Sequence, residues 1–127
     1  MRDLSGACLC GAIALQVRTD AVEARECHCT QCRRQSGHVW AFLTVPWDAV
    51  EWSVAPAIYQ HSDKADRGFC AECGSYVYWR GRDAATVDLS AGLFDQPTGL
   101  HLGPPSFTGN KGDYYDIADG LPQEESA

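Results

Sequence analysis

The sequence predicts a mainly β domain of antiparallel sheets with short helical turns. Short apolar and aromatic runs alternate with a period of two, as residues on half-buried strands do. Glycines and prolines separate these runs at short intervals, and only one short segment has helical character. The length of 127 residues fits a single domain, residues 1–127, in which 122–127 is expected to be a flexible polar tail.

The strand predictions rest on period-two patterns and on β-branched or aromatic residues. In segment 12–18 the side chains of Ile13, Leu15 and Val17 share one face. Segment 39–45 is a strongly β-prone run of apolar and aromatic residues. Shorter strands are predicted over 50–54, 58–61, 75–80 and 86–90.

One helix is predicted over residues 31–35, with Gly37 as its C-terminal cap, because glycine readily adopts the left-handed conformation that ends many helices. From Gly99 onward glycine and proline are dense, which predicts a loop. Residues 114–117 are expected to dock on the domain. Segment 113–116 is interpreted either as a docked tail that closes the site or as a plain loop.

Composition and charge restrict the function classes. Seventeen acidic against ten basic residues leave a net charge of −7 and an isoelectric point near 4.8. We expect no nucleic-acid partner, since non-specific binding depends on basic contacts to phosphates. No apolar run reaches the roughly 18 residues of a membrane span, and the N-terminus lacks an apolar signal segment. A cytoplasmic protein is therefore expected.

Seven cysteines are the outlying number in so short a chain. They fall in three tight clusters, Cys8-x-Cys10, Cys27-x-Cys29-x-x-Cys32 and Cys70-x-x-Cys73. An odd count without a signal segment does not fit a disulfide framework. Cysteines one or two residues apart can instead supply neighbouring thiolates to one ion. Soft sulfur ligands predict zinc, with an iron–sulfur centre as the alternative.

The clusters divide most simply into four plus three ligands. Cys70-x-x-Cys73-Gly74 has the form of a zinc knuckle, in which Gly74 takes the left-handed conformation after the second ligand. A knuckle supplies two ligands and a structural zinc takes four, so Cys8-x-Cys10 is its natural partner. The middle cluster is then a three-ligand set, as catalytic sites use. The rival division pairs the knuckle with two cysteines of the middle cluster. We call Cys27, Cys29 and Cys32 the cysteine triplet and the other four the cysteine quartet.

Three longer motifs surround the cysteines. They read Gly6-Ala7-Cys8-Leu9-Cys10-Gly11-Ala12-Ile13, Cys27-His28-Cys29-Thr30-Gln31-Cys32-Arg33-Arg34-Gln35-Ser36-Gly37 and Gly68-Phe69-Cys70-Ala71-Glu72-Cys73-Gly74-Ser75. In this order they resemble the motifs of the glutathione-dependent formaldehyde-activating enzyme family, and segment 111–122 is similar to the ending of many members. The resemblance covers nearly the whole chain.

The resemblance implies an Mss4-like fold, shared with centromere protein V-like proteins, in which antiparallel sheets are organised around a structural zinc. It implies that Cys8, Cys10, Cys70 and Cys73 hold this zinc. It also implies that Cys27, Cys29 and Cys32 hold a second, exchangeable catalytic zinc, so two zinc ions per chain are expected.

The founding activity of the resembled family adds the glutathione thiol to formaldehyde and gives S-hydroxymethylglutathione. Because the enzyme is classed by the reverse direction, the resemblance implies a carbon–sulfur lyase. The expected partners are a small thiol such as glutathione and a small aldehyde, or their adduct.

Three thiolates around a divalent cation leave one excess negative charge, which suits binding a soft thiolate better than making hydroxide. We hypothesise that the zinc of the triplet lowers the pKa of the substrate thiol and orients the thiolate toward the aldehyde. Arg33 and Arg34 are interpreted as charge partners of the site or as ligands for substrate carboxylates. The candidates for proton transfer are His28, His38, Asp113 and Tyr114.

Several alternatives stay open. The triplet is alternatively a second structural zinc site completed by His28 or His61, or a redox centre, because Cys29-x-x-Cys32 has oxidoreductase spacing. The protein is alternatively a non-catalytic, zinc-stabilised interaction module of the Mss4-like class. A methionine-sulfoxide-reductase-like enzyme is a further alternative, although such enzymes carry an isolated catalytic cysteine and every cysteine here is clustered.

The aromatic residues of the central segments are predicted to pack in the core and across strands. Any exposed members are expected to line a pocket over the triplet. The set consists of Trp40, Phe42, Tyr76, Tyr78 and Trp79.

Overall fold

The computed structural model describes residues 1–126 as ten strands, one α-helix and three short 3-10 turns. The strands are β1 (Arg2–Ala7), β2 (Ala14–Thr19), β3 (Glu23–Cys27), β4 (Trp40–Pro46), β5 (Val50–Trp52), β6 (Ala57–Tyr59), β7 (Ala65–Phe69), β8 (Tyr76–Gly81), β9 (Thr86–Ser90) and β10 (His101–Leu102). The helix α1 spans Thr30–Ser36. The predicted fold class, mainly β with short helical turns, is confirmed. Within this part of the chain no helix has the length and apolar character that crossing a membrane requires.

The strands form two sheets. The small sheet has the order β1-β2-β5 and is antiparallel, with Leu4 opposite Val17. The large sheet has the order β10-β3-β4-β9-β8-β7-β6. Its neighbouring strands run antiparallel except β10, which pairs in parallel with β3. The sequence predicted only antiparallel strands. The parallel pair forms because the long connection between β3 and β10 returns the chain in the same direction.

The main core lies between the two sheets. Its buried side chains come from both sheets and include Leu4, Leu15, Val17, Leu43, Val45 and Leu89. Side chains alternate along a strand, so the intervening residues of β4 and β9 lie on the opposite face of the large sheet. We call this the second face; it carries Trp40, Phe42, Thr44, Asp88 and Ser90.

The six predicted strands correspond to β2, β4, β5, β6, β8 and β9, with ends within two residues of the expected ones. The predicted helix is α1, and Gly37 caps it with a φ of 94°. Four further strands, β1, β3, β7 and β10, were not predicted from the sequence. In β3 and β7 charged residues stand where alternating apolar residues would have revealed a strand.

Part of the segment predicted as a flexible tail is hydrogen-bonded to the domain. The backbone N–H of Thr108 donates to the Glu124 carbonyl at 3.0 Å, and that of Glu124 donates to Pro105 at 3.0 Å. The guanidinium of Arg25 lies 2.8 Å from the Glu124 carboxylate. The last residue of the predicted tail, Ala127, lies outside the described residues.

Candidate functional site

Two turns from different sheets bring the cysteine quartet together. Cys8 and Cys10 lie between β1 and β2, whereas Cys70 and Cys73 lie between β7 and β8. The four Sγ atoms all lie within 4.8 Å of one another. The quartet therefore joins the small sheet to the large sheet.

The quartet fits a zinc ion. A tetrahedron with Zn–S bonds of about 2.3 Å has S···S edges of about 3.8 Å. The Sγ atoms of Cys8 and Cys10 lie 3.7 Å apart, and those of Cys10 and Cys70 lie 3.8 Å apart. The Ser75 hydroxyl, 3.1 Å from Cys73 Sγ, lowers the pKa of this thiol to about 5 and favours the thiolate that a metal requires. The predicted left-handed conformation of Gly74 is confirmed by its φ of 80°.

The cysteine triplet forms where β3 meets α1. Cys27 ends the strand, Cys29 is the N-cap of the helix, and Cys32 lies in its first turn. The Sγ of Cys29 accepts the Cys32 backbone N–H at 3.3 Å, which fixes the two thiols on one side of the turn. All three Sγ atoms lie within 4.8 Å of one another. Among residues 1–126 no histidine or carboxylate joins this group, so its ligand set has three members.

The thiols of the triplet affect one another's protonation. The hydrogen bond from Cys32 lowers the pKa of Cys27 to about 6, and the same contact raises the pKa of Cys32. One thiolate is therefore stabilised by the protons of its neighbours, whereas three adjacent thiolates would repel one another. A bound cation removes that repulsion, since it holds its sulfur ligands as thiolates. This donor set fits zinc as the quartet does.

A cavity of about 220 Å³ adjoins the triplet on the second face of the large sheet. We call it the triplet cavity; its other walls are Gln31, Trp40, Phe42, Trp79, Asp88, Ser106 and Phe107. Trp40 packs on Phe42 with ring centroids 5.1 Å apart and on Tyr76 at 4.8 Å. Apolar walls with a few polar groups are typical of small-molecule sites. Trp40, Phe42 and Trp79 thus line the cavity over the triplet, although Trp40 is buried and not exposed as expected of the lining residues. Tyr76 packs on Trp40, and Tyr78 lies in the main core.

The chain after β10 covers one side of the triplet cavity. The Ser106 backbone N–H donates to the Glu26 carbonyl at 2.8 Å, and Ser106 in turn accepts the His28 N–H at 3.0 Å. The next residue, Phe107, has a φ of 54° and packs against the triplet and Trp40. A bulky residue rarely adopts this left-handed backbone, and such strain is concentrated at functional sites.

Asp88 is a candidate functional residue that was not predicted from the sequence. It lies on β9 opposite Thr44 of β4 and Trp79 of β8, and it contributes to the wall of the triplet cavity. Burial raises the pKa of its carboxyl group. A carboxyl group held beside an apolar cavity is suited to proton transfer. No local motif marks Asp88; only the strand order places it beside the cysteines.

The histidines proposed for proton transfer, His28 and His38, contact Tyr115 and Tyr114 of the segment that was expected to dock on the domain. His28 is buried, its pKa is lowered by burial, and its Nδ1 is hydrogen-bonded to the Tyr115 hydroxyl. The Nδ1 of His38 lies 2.8 Å from the Tyr114 hydroxyl. None of these residues lines the triplet cavity, and neither does the exposed Asp113.

The remaining predicted residues lie around α1. Arg33 is half-buried, and its Nε has no hydrogen-bond partner among residues 1–126. Arg34 and His61 lie in the wall of a separate cavity, on the β7 side of the helix. A catalytic or substrate-binding role for Arg33, Arg34, Asp113 and Tyr114 stays a prediction.

Known proteins share this sequence pattern and fold. The family model of the glutathione-dependent formaldehyde-activating enzyme matches residues 3–108. A protein of Schizosaccharomyces pombe named an uncharacterized lyase is 27% identical over 128 residues, covering 94% of this chain and 88% of that protein. A crystal structure of a Rhodobacter sphaeroides protein shares the fold, with a TM-score of 0.61 and 23% identity over 72% of this chain and 88% of that chain. This chain belongs to the glutathione-dependent formaldehyde-activating enzyme family.

Proposed function

We propose that this protein is a zinc-dependent enzyme that forms or cleaves the carbon–sulfur bond of thiol–aldehyde adducts of the S-hydroxymethylglutathione type. One observation carries the proposal: among residues 1–126 the triplet has three ligands and no fourth, and it adjoins the triplet cavity. Membership of the family and the lyase name of the yeast relative support a lyase-type role.

We assign different roles to the two cysteine groups. The quartet has the four ligands of a closed structural zinc site and joins the two sheets. The triplet would hold the second zinc, for a total of two ions per chain. Zinc bound there supplies an open coordination position that lowers the pKa of a substrate thiol.

The residues of the triplet cavity would position the two reactants. In the forward direction the thiol sulfur forms a bond to the aldehyde carbon, and the thiol proton ends on the former carbonyl oxygen. The reverse reaction breaks the same bond and returns the proton to sulfur, so neither direction needs an oxidant or a reductant. The aromatic walls Trp40, Phe42 and Trp79 exclude water from this exchange.

We assign the proton transfer between the thiol and the aldehyde oxygen to Asp88. Its carboxyl group lies in the wall of the triplet cavity and is held by Thr44, so its position is fixed before a substrate binds. A carboxylate there accepts the thiol proton and donates it to the aldehyde oxygen. In the reverse direction it removes the proton from the adduct hydroxyl group.

The alternatives have less support in the geometry. A non-catalytic module would be favoured by a closed second site or by an exposed apolar patch in place of a pocket, whereas the triplet has three ligands beside a cavity. A methionine-sulfoxide-reductase-like enzyme needs an isolated cysteine, but all seven cysteines belong to the quartet or the triplet.

Exchange NMR at equilibrium tests the proposal. Glutathione and ¹³C-formaldehyde form their adduct reversibly without an enzyme. The exchange rate between free and bound carbon, compared with the rate in the absence of protein, therefore measures catalysis directly. We expect zinc-loaded protein to accelerate exchange and Cys29→Ser to abolish the acceleration while retaining one zinc per chain. The proposal fails if protein with two zinc ions per chain does not accelerate exchange, or if Cys29→Ser is fully active.

A further inference from the structure

Arg67 is a buried cation whose charge is not neutralised by any carboxylate of residues 1–126. Its side chain is only 5% exposed, and the ion pairs of this part of the chain involve Arg25 and Arg82 instead. A buried charge is costly unless a partner compensates it. No carboxylate of the described residues compensates this charge, so the position of Arg67 is suited to an anionic ligand.

The guanidinium of Arg67 is held in a fixed orientation. One Nη donates to Gln35 Oε1 at 2.7 Å, and the other donates to Gln31 Oε1. The two glutamines lie one turn apart on α1, so they clamp the guanidinium between helix and sheet. The Nε of Arg67 is buried and has no hydrogen-bond partner among the described residues.

Arg67 lines a cavity of about 240 Å³ that we call the Arg67 cavity. Its other walls are Gln31, Arg34, Gln35, Tyr59 and His61. Two arginines contribute to this wall and no carboxylate does, so the charged groups of the lining are cationic. A fixed guanidinium with a second arginine beside it is a typical ligand for a carboxylate.

The Arg67 cavity adjoins the triplet cavity. Gln31 contributes to the walls of both cavities and precedes Cys32 in the chain. Arg67 lies opposite Trp79 in the β7–β8 register, and Trp79 belongs to the wall of the triplet cavity. The two cavities therefore adjoin at Gln31 on the second face, and an extended ligand that passes Gln31 would enter both.

We propose that the Arg67 cavity binds a carboxylate of the thiol substrate, with Arg67 and Arg34 as its ligands. The inference rests on the proposed function, because it assumes that the sulfur of the same molecule enters the triplet cavity. The protein thereby selects anionic thiols of the glutathione type over neutral ones. Within this site Arg67 is the anchor, and the exposed Arg34 adds a second positive charge.

The first test compares two ligands on the unmodified, zinc-loaded protein. S-methylglutathione carries both carboxylates and no free thiol, whereas its dimethyl ester lacks the carboxylate charges. Calorimetry is expected to show that the acid binds about ten- to a hundredfold more tightly, the difference that a charge-assisted contact gives. Equal affinities for acid and ester would overturn the inference.

The second test uses variants of the cavity wall. Arg67→Met and Arg34→Gln are each expected to weaken binding of S-methylglutathione by about tenfold or more and to leave binding of the ester unchanged. Arg82→Gln is the matched control, because Arg82 pairs with Asp66 outside the cavity. If Arg67→Met fails to fold in a melting experiment, Arg34→Gln and the ligand comparison decide. Unchanged binding of the acid to Arg34→Gln and to folded Arg67→Met would overturn the inference.

Steady-state kinetics distinguish carboxylate binding by Arg34 from a general electrostatic effect of its charge on the triplet. We expect Arg34→Gln to raise the KM for glutathione by a larger factor than the KM for 2-mercaptoethanol. An equal fall in kcat for the two thiols would mean that the arginine balances the charge of the triplet, which contradicts the inference.

Binding measurements test the carboxylate site, whereas turnover measurements test the proposed function. If the protein prefers the acid in an arginine-dependent way but does not accelerate adduct exchange, the carboxylate site stands and the proposed function fails. If exchange is accelerated without any preference for the acid, the proposed function stands and the carboxylate site fails.

Discussion

The hydroxyl group of Thr44 on β4 donates a 2.6 Å hydrogen bond to the carboxylate of Asp88 on β9. The two residues are directly opposite in the strand register, so the sheet itself sets the position of the carboxylate. The bond fixes an ionisable group in the wall of the cavity that the three cysteines share. This relationship connects the strand order to the proposed proton transfer.

Replacing Asp88 by asparagine is expected to slow catalysed adduct exchange by about a hundredfold or more. General acid–base catalysis contributes a rate factor of at least about this size. Asparagine has the same shape and keeps an acceptor for Thr44, so the cavity wall should be preserved. The exchange rate at saturating glutathione and formaldehyde measures the effect. Asp63→Asn, on an exposed loop, is the control, and an Asp88→Asn variant as fast as this control would exclude the assigned role.

Asp88 also predicts a pH dependence of stability. Burial raises its pKa in the folded state above the unfolded value of about 3.9, so the folded protein binds this proton more tightly. Its stabilising contribution is full below the unfolded pKa and is lost as the pH rises through the folded pKa. Urea unfolding from about pH 4 to pH 7 should therefore show wild type losing stability relative to Asp88→Asn. A constant difference between the two proteins across this range would refute the prediction.

Loss of the quartet is expected to destabilise the whole fold. Cys70 is 1% exposed, and its turn joins the large sheet to the small sheet. Cys70→Ser should lose the structural zinc and lower the melting temperature by about 10 °C or more, as a loss of a few kcal/mol does in a domain of this size. Cys29→Ser in the triplet is the comparison and should melt within a few degrees of wild type. Equal melting temperatures for the two variants would contradict the division of roles.

At Phe107, substitution by glycine is expected to reduce the free energy of unfolding less than substitution by alanine. Its φ of 54° lies in the left-handed region, where glycine is favoured over alanine by about 1 kcal/mol. Both Phe107→Gly and Phe107→Ala remove the ring that packs on the triplet, so their comparison isolates the backbone. Denaturant unfolding should show the glycine variant to be the more stable of the two. The reverse order would indicate that the backbone at this position is not strained.

Local patterns in the sequence were sufficient to predict part of the strand arrangement and the cysteine ligands of the site. Cys8, Cys10 and the knuckle are each marked by spacing along the chain, and β2 and β4 by their alternation of apolar residues. The strands that were missed are built differently. Arg25 in β3 pairs with Glu124, and Arg67 in β7 pairs with side chains of α1, so these strands carry charges for partners far away in sequence.

Other functional residues depend on strand order, which the local pattern does not reveal. Arg67, Trp79, Asp88 and Thr44 form one row across β7, β8, β9 and β4. Each belongs to a different strand, and nothing in its own segment indicates that its neighbours lie beside the triplet. The carboxyl group of Asp88 and the cation of Arg67 therefore became candidates only when the strands were paired.

Zinc per chain is the measurement that tests the four-plus-three division most directly. Protein purified without chelator and reconstituted with excess zinc should hold two ions, and Cys29→Ser should hold one. Wild-type protein that binds a single ion, with three cysteines still free to react with a thiol reagent, would contradict the division and with it the zinc-dependent reaction proposed for the triplet.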